Sequence, residues 1–144
     1  MAVALLAGLC GCGPAPLKPE DDRTMVVSLP DGREIRAEMM VRQDDLLRGM
    51  MYRESLAPDR GMLFIYAKPA TFKYWMFRVK IPLDIIWLDA AKRIVEVSAN
   101  TPPCLGEARD CPSYGGNFES QFVLEIGGGM AAKHGLKVGD TLRF

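Results

Sequence analysis

Beyond residue 22 the apolar residues come in short β-branched or aromatic runs, each cut off by a turn signal, and no long helical repeat interrupts them. Thr24 to Leu29 is one such run, ended by Pro30-Asp31-Gly32. It is followed by Arg33 to Val41, where Ile35, Ala37 and Met39 alternate with charged positions. That pattern predicts a hairpin. Gly61 to Tyr66 and the aromatic segment Phe72 to Phe77 read as strands on either side of Lys68-Pro69-Ala70-Thr71. Leu83 to Leu88 and Arg93 to Ala99 flank Asp89-Ala90-Ala91-Lys92, a second hairpin. Phe118 to Ile126 and Thr141 to Phe144 complete the set.

Only two segments change period. From Gln43 to Met51, Leu46, Leu47, Met50 and Met51 share one helical face, and Asp44 and Asp45 suit a helix start. Gly49 inside this segment costs about 1 kcal/mol of helix propensity relative to Ala, so a close neighbour is expected there. Met130 to His134, after Gly127-Gly128-Gly129 and closed by Gly135, reads as a second short helix. About eight short strands with two small helices, and no regular βαβ alternation, predict an α+β domain over residues 23–144. Its sheet is expected to be mostly antiparallel and barrel-like, because closure removes exposed edges.

The segment before the domain has a different character. Met1 to Gly11 is almost wholly apolar, too short to span a bilayer, and has the length and small-residue exit of a secretory leader. Leu9-Cys10-Gly11-Cys12 resembles a bacterial lipoprotein cleavage box, after which Cys12 would carry the lipid. Residues 12–22 then read as the lipidated Cys and a Pro-rich tether. The chain is thus expected to be exported and anchored by lipid on the periplasmic or cell-surface side of a membrane. In that oxidising compartment Cys104 and Cys111, seven residues apart in a Pro- and Gly-rich loop, are most simply a disulfide.

Charge narrows the partners. Lys plus Arg (18) equal Asp plus Glu (18), so the chain has no long-range field to gather phosphates and a nucleic-acid partner is disfavoured. Apolar content of 49% argues against disorder. The expected partners are the membrane, through the anchor, and a small ligand or another envelope protein.

Ordered blocks give the chain a family likeness. They are Arg48-Gly49-Met50-Met51, Gly61-Met62-Leu63-Phe64, Trp75-Met76, Ile81-Pro82-Leu83-Asp84, Cys111-Pro112-Ser113-Tyr114-Gly115, Val123-Leu124-Glu125 and His134 to Asp140. Together they resemble the bacterial and archaeal domain-of-unknown-function-192 family over roughly residues 25–144. The resemblance implies a compact β-rich domain, often exported, and no established reaction. Where members usually carry a Lys-Asn-Thr-like polar run, this chain reads Phe77-Arg78-Val79-Lys80.

Six residues are candidates for a ligand site: Arg48, Arg60, Trp75, Asp84, Tyr114 and Glu125. Asp84 lies among apolar residues, either facing a ligand beside Trp75 or capping backbone N–H groups and ion-pairing, because an unpaired buried charge is costly. Tyr114 either recognises a ligand or anchors its loop through ring and hydroxyl. His134, the sole histidine, suits the last turn of its helix, where a cation complements the dipole. The nine methionines are better explained as core filling than as a copper site, and no metal or cofactor is expected. Two functions follow. One is a non-enzymatic binding module with a concave site lined by Trp75 and Tyr114. The alternative is an envelope enzyme acting on a glycan or small substrate through Asp84, Glu125 and Tyr114.

Overall fold

The computed structural model describes residues 23–144; the leader, Cys12 and the tether lie outside the described residues. The strands are β1 (Thr24–Ser28), β2 (Glu34–Met40), β3 (Arg60–Ala70), β4 (Lys73–Trp75), β5 (Leu83–Leu88), β6 (Ile94–Thr101), β7 (Ser113–Gly115) and β8 (Ser120–Gly127). Two helices, α1 (Gln43–Arg48) and α2 (Met130–Lys133), accompany them. Six strands form one sheet in the order β1-β2-β3-β8-β5-β6, and β4 pairs with β7 in a separate ribbon.

Both expected hairpins form for local reasons. Gly32 takes φ +82° and donates its N–H to Leu29 O at 3.0 Å, while Asp31 Oδ1 accepts from Arg33 N, fixing the β1–β2 turn. In the β5–β6 turn, Asp89 Oδ1 accepts from Ala91 N and Arg93 N, both at 2.9 Å. Every residue of β5 is buried, as its continuous apolar run requires of a strand covered on both faces.

Two features of the expected sheet need correction. It is mixed rather than purely antiparallel, because β2 and β3 run parallel, with Arg36 opposite Arg60 and Met40 opposite Phe64. A parallel neighbour requires a crossover of about a dozen residues or more, and residues 41–59, carrying α1, provide it. Nor does the sheet close into a barrel. The terminal segment, expected as a strand over Thr141–Phe144, reaches both edges only through isolated bridges, Arg143 with Ser28 and Thr141 with Arg93. Crossing the edges instead of lying along either one, it covers them without a continuous ladder.

Alternation divides the core into two clusters, one on each face of the sheet. Leu63, Ile86, Leu88, Leu124 and Ile126 join Val27, Ile35 and Leu142 in the first. Met62, Phe64, Ile85, Trp87 and Val123 join Met50, Met76 and Val79 in the second. The β4–β7 ribbon covers this second face: Tyr74 and Tyr114 are directly opposite in register and both pack on the cluster. The segment over 100–117, which has no apolar periodicity, therefore contains a strand too short for a pattern to reveal. Gly115 is obligatory there, at φ +71°, because a Cβ would stand 2.1 Å from the Trp87 indole. Cys104 and Cys111 form the expected disulfide, with an S–S distance of 2.01 Å, closing the loop beside this ribbon. No helix among the described residues is long and apolar enough to cross a membrane.

Candidate functional site

The residues around Gly49 make the concave part of the second face. α1 ends at Arg48, earlier than its apolar spacing predicts, because Gly49 adopts φ +46° and ψ −133°. The close neighbour expected at Gly49 is Phe64, whose ring lies 3.2 Å from where a Cβ would stand. The turn thereby brings Met50 and Met51 under α1 and over β8.

Two depressions adjoin there and share Arg48, Gly49 and Met51 in their walls. The larger, a half-open cleft of about 750 Å³, is lined by Met39, Met40, Met51 and Met62 and by charged side chains of which most are paired. Arg53 binds Glu38 at 2.5 Å, and Arg23 lies 4.0 Å from Asp45. The smaller, about 40 Å³, is lined by Phe64, Tyr74, Trp75, Phe77, Met50 and Met51, with Glu125 buried beneath and Arg48 exposed above. Size favours the first depression, but chemistry favours the second.

Glu125 makes that choice. Ile85 and Glu125 are directly opposite in the β5–β8 ladder, so the carboxyl shares the second face with Ile85, Met62 and Val123. It is only 4% exposed, and Oε2 has no hydrogen-bond partner. Burial pushes its pKa up to about 8, opposed in part by Arg53, so the group is mostly a neutral acid at pH 7. Next to it the Tyr66 and Tyr74 hydroxyls hydrogen-bond each other at 2.8 Å, and burial raises both phenols above their ordinary value. Tyr74 is fixed further by edge-on contacts with Phe64 and Trp87, at 5.1 and 5.7 Å between centroids. Trp75 leans on Phe77 at 5.2 Å and remains 44% exposed at the mouth.

Of the six sequence candidates, Arg48, Trp75 and Glu125 come together here; Arg60, Asp84 and Tyr114 do not line the cavity. Asp84 is opposite Ile126 in register and so faces the first core cluster, away from Glu125. Its Oδ1 accepts from Asn100 N at 2.6 Å and Gly129 N at 3.0 Å, and Oδ2 accepts from Ala131 N at 2.6 Å. It caps backbone, fixing the end of β6 and the start of α2. Tyr114 lies opposite Tyr74 in the ribbon, whereas Trp75 is opposite Ser113, so the two rings point to different faces and no site is lined by both. An acid–base assembly of Asp84, Glu125 and Tyr114 does not form.

Sequence reasoning missed the aromatic walls. Phe64 lies in a run read simply as strand and Phe77 begins the segment that replaces the polar run, whereas Tyr74 adjoins the candidate Trp75 in the aromatic segment. In that segment Val79 is buried, Lys80 bonds Glu54 at 2.7 Å, and Arg78, at φ +58°, lies 4.8 Å over the Phe77 ring. His134 is also more than a helix terminus: its Nδ1 lies 2.9 Å from Asp31 Oδ2, joining α2 to the first hairpin turn. Among the described residues no cluster of three or more His, Cys, Asp or Glu side chains is arranged to hold a metal ion.

The whole described domain has counterparts. The DUF192 family model, described as "Uncharacterized ACR", matches residues 26–144. The crystal structure of a protein of unknown function from Novosphingobium aromaticivorans DSM 12444 is 30% identical, with a TM-score of 0.74 and 84% of each chain covered. One from Sinorhizobium meliloti 1021, provisionally described as a transcription regulator, is 26% identical with a TM-score of 0.72, over 82% of this chain and 89% of that one. No curated protein matches.

Proposed function

Since the chain belongs to the uncharacterised DUF192 family, we propose from its own chemistry that it is a non-enzymatic binding module, tethered to an envelope membrane, that takes a small ligand over Glu125. One observation carries this reading: a buried carboxyl whose Oε2 lacks a partner belongs to a residue in the wall of an aromatic- and Met-lined cavity. Leaving a buried polar atom unpaired costs on the order of 1–3 kcal/mol, and a ligand bringing the missing partner recovers that cost. The disulfide supports an oxidising compartment. Arg23, the first described residue, lines the adjacent cleft. A tether ending at residue 22 would therefore leave the domain on the side of the site.

The test follows the methyl resonances of Met50 and Met51 in the full chain while small amines, alcohols and carboxylates are titrated in. The reading expects saturable shifts with at least one class, lost in Trp75→Ala. Absence of saturable shifts from all three overturns it. Fractionation of cells tests the tether: wild type is expected in membranes and Cys12→Ser in the soluble fraction. Soluble wild type overturns the anchor.

A further inference from the structure

We infer that the cavity above Glu125 is a subsite for the ammonium head group of an organic cation, with the Glu125 carboxylate as counter-ion and Phe64, Tyr74, Trp75 and Phe77 as an aromatic surround. The inference rests on reading this cavity as a ligand site. Three observations select the cation.

First, the unpartnered atom is a carboxyl oxygen, and carboxylate and ammonium complete each other's hydrogen bonding. Second, apart from Arg48 exposed at the mouth, the walls are mainly aromatic rings and apolar or thioether side chains, and aromatic faces attract a cation. Third, the volume suits a head group alone. About 40 Å³ is room for roughly one or two waters, which suits an ammonium head group and leaves any larger body in the adjoining cleft.

The other charges around Glu125 agree. From the loop after α1, Arg53 is the nearest cation, and it is engaged by Glu38 of β2 at 2.5 Å. Arg48, at the end of α1, is exposed at the mouth rather than sealed against the carboxyl. β3 and β4 present the Tyr66 and Tyr74 phenols, one of which donates its hydroxyl hydrogen to the other, so the pair keeps a single further O–H donor. β5 presents Ile85, which is apolar.

Proton accounting gives the signature. The empty site holds Glu125 as the neutral acid up to about pH 8, and the ion pair needs it ionised, so binding below that pH releases one proton to solvent. Affinity for a permanent cation then rises roughly tenfold per pH unit up to about 8 and levels off above it.

The probes are n-butylammonium, n-butanol and n-butyrate, titrated into the full chain at pH 6 and pH 9 with the Met50 and Met51 methyls as reporters. The expected result is n-butylammonium binding, roughly 100-fold tighter at pH 9. Glu125→Gln, nearly isosteric, should abolish both that affinity gain and the pH dependence. Tighter n-butyrate binding at pH 6, n-butanol binding equal to the amine, or an unchanged pH profile in Glu125→Gln overturns the cation inference while leaving a ligand site. Silence from all three probes overturns the ligand reading itself. The ammonium could come from a free amine or a lipid head group. Sedimentation of the Cys12→Ser chain with phosphatidylethanolamine vesicles, but not phosphatidylglycerol vesicles, assigns the lipid; binding confined to soluble n-butylammonium assigns the free amine. Both support the inference.

Discussion

Asp84 and Glu125 are buried carboxyls one ladder position apart on neighbouring strands, yet they face opposite sides of the sheet and live by opposite rules. Asp84 collects three backbone N–H groups, from Asn100, Gly129 and Ala131. The Ala131 N–H is buried and would be orphaned without it, so Asp84 ties the end of β6 to the start of α2. Glu125 collects nothing at Oε2 and stays protonated to about pH 8. A fold has no use for the second arrangement, because an apolar residue of similar shape would pack there at lower cost. Burial alone therefore does not single out a candidate ligand-facing group; burial without a partner in the wall of a cavity does so for Glu125.

The contrast breaks most visibly at Asp84. Asp84→Ala should lower unfolding stability by about 3 kcal/mol in urea titrations, since it strands the buried Ala131 N–H and removes the bonds that hold Asn100 and Gly129. A loss under 1 kcal/mol would dissolve the distinction between the two carboxyls.

Glu125 should behave in the reverse sense. Its folded pKa of about 8 lies above the ordinary 4.5, so the folded chain holds a proton that the unfolded chain has released between those values. Stability should thus be full below about pH 4.5 and fall as pH rises toward 8, by about 5 kcal/mol in all. Glu125→Gln should remove that slope and be more stable than wild type at pH 9, measured by denaturant titration across pH. An unchanged slope would contradict the burial argument.

The disulfide sharpens the comparison, because it supports the ribbon over the Glu125 face. Cys104→Ser with Cys111→Ser should cost about 2–3 kcal/mol, read as a shift in the urea midpoint. The smallest effect belongs to Asp31. Its pKa is lowered by the Arg33 N–H and then by His134, so its contribution is present above about pH 4 and lost as pH falls through the lowered value. Asp31→Asn should flatten that acid limb alone.

Much of this was legible where the physics is local. Pro30-Asp31-Gly32 and the Asp89 turn set their hairpins through contacts a few residues apart, and Leu83–Leu88 could be placed as a strand of the second hairpin. Glu125 could be placed on a strand, and two of the other candidates, Arg48 and Trp75, line the same cavity. What escaped depends on distant partners. The parallel register of β2 with β3 is decided by where residues 41–59 return, not by either strand's pattern. Strands of three residues, β4 and β7, carry no readable period. Asp84 is satisfied by N–H groups up to 47 positions away, and Asp31 meets His134 across 103. Alternation tells that Asp84 opposes Ile85 in direction, but not which face holds the cavity.

The most direct test is a ¹³C NMR titration of the Glu125 side-chain carboxyl in the full chain. The account predicts a midpoint near pH 8 in the empty protein, displaced downward when n-butylammonium is added. A midpoint in the ordinary glutamate range near 4.5, unmoved by the amine, would mean the carboxyl is solvated or already paired, and neither the ligand site nor the contrast with Asp84 would stand.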